Sequence, residues 1–102
     1  MAVVMTFEWD GFTPAHYDEL REKAGWDDDP PEGGVFHACW FEDGGIHVVD
    51  VWESEQDFRR FFEERLRPVL KDDMKVRGEP KYRFRKLHAK FNDEARRAKA
   101  GS

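Results

Sequence analysis

Only one cysteine, Cys39, occurs in the 102 residues, so no intrachain disulfide can form and no thiol cluster exists to hold zinc. Histidine is also scarce. The four present, His16, His37, His47 and His88, show no HxH, HxxxH or Glu-x-x-His spacing, so no metal is expected. No apolar run is long enough to span a bilayer. The N-terminus MAVVMTFEWD has no basic start followed by a long apolar stretch, so no signal peptide is read and a soluble, cytoplasmic protein is expected. Basic residues are outnumbered, 17 Lys and Arg against 22 Asp and Glu; the net charge of −5 argues against broad binding to nucleic acid or anionic membranes. A mean hydropathy of −0.87 beside nine Phe and four Trp describes one small folded domain with a heavily solvated exterior.

What is present centres on residues 45–70, GIHVVDVWESEQDFRRFFEERLRPVL. Residues 46–52 alternate. Ile46, Val48, Asp50 and Trp52 point one way, while His47, Val49 and Val51 point the other, as in a strand. Ser54 then stands where an N-cap accepts from the backbone N–H of Asp57. Phe58, Phe61, Phe62, Leu66, Val69 and Leu70 follow at three- and four-residue steps, the apolar stripe of an amphipathic helix. Pro68 removes one helical donor and crowds the preceding turn, which predicts a kink or loosening near Glu64.

The rest of the chain completes a pattern. Residues 2–9 read as a first, central strand ending at the Asp10-Gly11 turn. Thr13 caps a helix over 13–24 with Pro14 in its first position, a Phe12–Tyr17 staple, a stripe of Tyr17, Leu20 and Ala24, and Gly25 as its stop. Residues 27–34, DDDPPEGG, read as a solvated acidic loop, lacking the alternation of a calcium loop. Residues 35–41 form a second strand, with Val35, His37, Cys39 and Phe41 on one face and Phe36, Ala38 and Trp40 on the other. Asp43-Gly44-Gly45 turns it into a hairpin with the third strand. Residues 71–79 read as a polar connection, and 81–87 as an edge strand with Tyr82 and Phe84 inward. Residues 1–88 thus form one domain, and 89–102 a charged tail that is helical only if docked.

The order β-α-β-β-α-β is the ferredoxin-like pattern: α+β, a four-stranded antiparallel sheet with two helices on one face. The strands are apolar on both faces, and no further helices remain to cover the second. A homodimer packed through the open sheet face is therefore expected.

Pro31–Gly33, Phe36-His37, Asp43-Gly44-Gly45, VVDVWES over 48–54, Phe58, Phe61 and RLRPVL over 65–70 together resemble the dimeric α/β-barrel superfamily. The likeness is to its small antibiotic-biosynthesis-monooxygenase-like and stress-responsive members. It implies two ferredoxin-like protomers packed sheet to sheet, each with a pocket between sheet and helices. Implied activities are oxygenation of aromatic, polyketide-like phenols without metal or flavin, haem degradation, and cyclisation. Haem-degrading members carry a ligating His on the second helix, and residues 57–70 contain none.

His37 is the first candidate for chemistry. It would be a general base titrating near neutrality or, on the plainer reading, a buried histidine bonded to backbone or an acid. Asp50, a carboxylate among valines, would either orient His37 or pair with Arg59 or Arg83. Trp52, Tyr17, Phe58 and Phe62 are candidate substrate-binding residues, with Trp40 and Trp9 as further aromatic wall and core or interface as the alternative. Cys39 reads as inert. The leading expectation is a small homodimeric enzyme acting without a bound cofactor on a small apolar or aromatic molecule, by proton abstraction followed by oxygenation or rearrangement. The alternatives are a non-catalytic ligand-binding or stress-associated dimer, or a subunit docking through its tail.

Overall fold

Residues 2–90 are described by a computed structural model of the chain. The order is β1 (Val3–Asp10), α1 (Pro14–Ala24), β2 (Gly34–Glu42), β3 (Gly45–Trp52), α2 (Glu55–Phe61) with its continuations, and β4 (Lys81–Lys86). The strands form one sheet in the spatial order β2-β3-β1-β4, with every neighbouring pair antiparallel. This is the expected α+β, ferredoxin-like arrangement. The tail reading lies outside the described residues from 91 onward.

The hairpin turn sets the register of everything that matters. Asp43 and Gly44 both take positive φ, 53° and 80°, the type I′ geometry that matches the twist of the flanking strands. Glu42 then pairs with Gly45, and counting outward from that pair brings His37 directly opposite Asp50. The register slips between Gly34 and Phe36, which leaves Val35 as the extra residue of a bulge.

Both helices start as their caps dictate. The Thr13 hydroxyl accepts from the backbone N–H of His16, and the His16 ring returns a bond to the Thr13 N–H. The Ser54 hydroxyl accepts from the Asp57 N–H at 3.1 Å and donates to the Asp57 carboxylate at 2.9 Å. Gly25 ends α1 at φ 68°, its N–H bonded to the Arg21 carbonyl. The ring partners differ from the expected staple: Phe12 stacks on Trp9 and lies tilted against His16, while Tyr17 turns toward Trp26, His37 and Phe41.

Beyond α2 the helix loosens, as Pro68 requires. Phe62–Leu66 and Pro68–Asp73 are wound as π-helix, and the Arg67 N–H reaches back five residues to the Phe62 carbonyl. The helix therefore runs on to Asp73, into the segment read as a polar connection.

The core lies between the helices and one sheet face. Met5, Trp9, Ile46, Val48, Trp52, Phe58, Phe62 and Leu70 are all buried there. Val35, Phe36 and Trp40 stay 41, 55 and 44 % exposed. Trp40 stacks on His47 at 5.4 Å, away from the helices, so it is not part of the wall proposed for it. Among the described residues, no helix is long and apolar enough to cross a membrane.

Candidate functional site

The pairing of β2 with β3 places a carboxylate and an imidazole side by side. Asp50 is 5 % exposed, the one charged residue buried in the described core. Such a group must be fully bonded to be tolerated. It is: Oδ1 lies 2.7 Å from His37 Nδ1, and Oδ2 accepts from the Trp52 indole N–H at 3.0 Å. Among the described residues the ion-pair partner of Asp50 is His37 rather than Arg59 or Arg83, and Arg59 instead bonds Glu55 and lies over the rings of Tyr82 and Phe84.

A carboxylate can only accept, so in the neutral ring the proton sits on Nδ1 and donates to Asp50. Nε2 is left as acceptor, and 2.9 Å away is the Tyr17 hydroxyl from α1. The rings of Tyr17 and His37 lie nearly parallel, 5° apart. The line Trp52–Asp50–His37–Tyr17 therefore joins three elements and holds the imidazole in one tautomer. Burial pushes the Tyr17 hydroxyl up to about 12, with Cys39 adding to the shift and the Arg21 cation opposing it. Burial likewise raises the Cys39 thiol, which keeps it protonated and unreactive.

This line opens on a cavity of about 260 Å³ between sheet and helices. Tyr17, Trp26, Pro31, His37, Trp52 and Phe61 line it, together with the buried Phe58 and Phe62. Trp9 also borders it, with its indole N–H spent on the Arg77 carbonyl. Thus Tyr17, His37, Asp50 and Trp52 come together as one constellation, and Phe58 and Phe62 line the same cavity.

Trp26 escaped the sequence reading. It packs edge-on against Tyr17, His37 and Phe61, at 5.8, 6.1 and 6.2 Å between ring centres. A signal was present: a tryptophan between a helix stop and an acidic loop has no place in a strand or helix stripe, yet its ring must be buried somewhere. The loop read as merely solvated thus forms one side of the cavity, through Pro30 and Pro31. The other histidines stand apart. His16 caps α1, and His47 lies beside Glu42 and Asp43 at the exposed hairpin.

No protein-family model and no curated protein matches the chain. Solved structures do. SnoaB, a cofactor-independent oxygenase from Streptomyces nogalater, superposes with a TM-score of 0.62 at 14 % identity over 90 % of this chain and 98 % of its own. A protein of unknown function from Nitrosomonas europaea gives 0.65 at 13 % identity over 91 and 96 %. The monooxygenase ActVA-Orf6 from Streptomyces coelicolor, solved with the ligand nanaomycin D, gives 0.51 at 21 % over 91 % of both chains. The chain has the ferredoxin-like fold of antibiotic-biosynthesis-monooxygenase-like proteins. At these identities the likeness extends to the fold and no further.

Proposed function

We propose that this ferredoxin-like protein is a small homodimeric, monooxygenase-like enzyme that oxygenates a flat, polyketide-like phenol without a bound cofactor. The observation that carries the reading is an imidazole held between Asp50 and Tyr17 at the wall of an aromatic cavity. In this reading His37 is the proton acceptor. Asp50 fixes its tautomer and stabilises the imidazolium that forms. Tyr17 passes the proton on: its oxygen accepts from the substrate as its own hydrogen moves to His37 Nε2. With its acidity near 12 it does not rest as a phenolate. Trp52, with Trp26 and Phe61, holds the flat ring and excludes water.

The chemistry balances with molecular oxygen as the oxidant. At an activated CH₂ the first C–H proton goes to His37, and the carbon's electron pair forms a C–O bond to O₂. The far oxygen takes a proton to give a hydroperoxide. Loss of the second C–H proton breaks the O–O bond, leaving a carbonyl and one water. The same anion can instead rearrange when no oxygen reaches it. The dimer would form by two open faces meeting, which covers Phe36 and Trp40.

The test is oxygen uptake with an anthrone as probe. His37→Gln should lower turnover roughly 10²–10⁴-fold while the fold persists. Equal turnover in the variant would sink the base assignment. Anthrone binding without oxygen uptake in the natural chain would instead favour a ligand-binding barrel.

A further inference from the structure

Arg21 and Asp27 form a bidentate ion pair next to two residues of the cavity, Tyr17 and Trp26. Arg21 Nε and Nη2 reach the two Asp27 oxygens, each at 2.8 Å, a parallel, bidentate arrangement. Both side chains are about half exposed, 46 and 60 %. A pair in that setting contributes little to global stability. Its position is what matters. Arg21 lies one turn after Tyr17 on α1, and its remaining Nη1 stands 3.5 Å from the Tyr17 hydroxyl. Asp27 directly follows Trp26, whose ring edges onto both Tyr17 and His37.

A second tie fastens the same segment from the other side. Arg65 donates to the Ala24 carbonyl at 2.8 Å and lies over the Phe61 ring. It also approaches Asp29 at 3.7 Å. Between these ties the chain leaves α1 through Gly25 in a left-handed conformation, a sharp exit that aims Trp26 back over the cavity.

From this geometry we infer that Arg21 and Asp27 are positioning residues, whose pairing holds Trp26 and the Tyr17 hydroxyl against His37 and so shapes the mouth of the cavity. The inference rests on the functional reading above for what the cavity is used for, but not for the contact itself. Arg21 touches no reacting atom. It acts through Asp27 on the wall and through its long contact with Tyr17 on the hydroxyl. Lysine would not replace it, because a point-like ammonium cannot present two parallel donors to Asp27 and a third to Tyr17.

The experiment needs no substrate. NMR of the full chain reads the ring protons of His37, which sense the current of the Trp26 ring, and the Trp26–His37 cross-relaxation. Asp27→Asn is expected to move the His37 signals and weaken that cross-relaxation while leaving the denaturation midpoint almost unchanged. In a Trp26→Leu background the same substitution should move the His37 ring signals less, by the part that reaches them through Tyr17 alone. Unmoved His37 signals in Asp27→Asn would overturn the inference, as would equal movement in both backgrounds. Should Trp26→Leu not fold, the cross-relaxation decides alone: full intensity in Asp27→Asn counts against the clamp. Anthrone turnover is a separate readout, so a chain that shows the coupling but never consumes oxygen keeps the clamp and loses the proposed activity.

Discussion

Replacing Asp50 by asparagine is the sharpest single-residue probe. The amide keeps the shape but has one acceptor where the carboxylate offers two, and both are used, by Trp52 and His37. With its oxygen on the indole N–H, its NH₂ faces His37 Nδ1 and drives the ring proton to Nε2. The ring then donates toward Tyr17 and can no longer accept. The variant should fold, yet lose about 10³–10⁴ of turnover, as expected for a wrong tautomer; imidazole nitrogen shifts check the tautomer directly. Tyr17 yields a pH effect at the same scale. Its folded value is raised from 10.0 to about 12. Between these values the unfolded chain releases the proton and the folded chain retains it. Its contribution is therefore whole below pH 10 and is lost as the pH climbs toward about 12. Urea melts across that window should show a steeper loss for the natural chain than for Tyr17→Phe. At this scale the residue types were legible and their partners were not. A carboxylate among valines announces a required partner, but nothing local chooses between an arginine and an imidazole.

The elements were the most readable level, because caps, stripes and turns act over a few neighbouring residues. Ser54 was identifiable as an N-cap from its place before Phe58, Phe61 and Phe62, and its hydroxyl does accept the Asp57 N–H. Ser54→Ala should cost about 1 kcal/mol in chemical denaturation, with no change in the His37 signals. Pro68 announced a disturbance in the helix. Its form, two π-wound stretches continuing to Asp73, follows from how Leu66 and Leu70 reach the core despite the missing donor. The hairpin register, by contrast, was fixed only in the structure. An Asp-Gly pair accommodates two positive φ values, and a two-residue turn forces His37 onto Asp50. Phe12 and Tyr17 share the core, but the ring partners of each lie elsewhere, Trp9 for Phe12 and Trp26 and His37 for Tyr17.

At the scale of the molecule, the one-sided helix layer leaves β2 with Val35, Phe36 and Trp40 in the open. If two copies meet there, Trp40→Glu should shift sedimentation from dimer to monomer at micromolar concentration while the helix content stays constant. An unchanged monomeric boundary for the natural chain would remove the dimer from the proposal. Every described element packs on one shared core. The order of strands and helices, their caps and their two-faced strands were determined by the sequence alone, because each depends on periodicity within a short window. The meeting of Tyr17 with His37, 20 residues apart, was decided only by tertiary packing. So was the return of Trp26 over the cavity. Both depend on where α1 crosses the sheet and how the chain leaves it, and that placement is set by the fit of the whole core rather than by any local pattern.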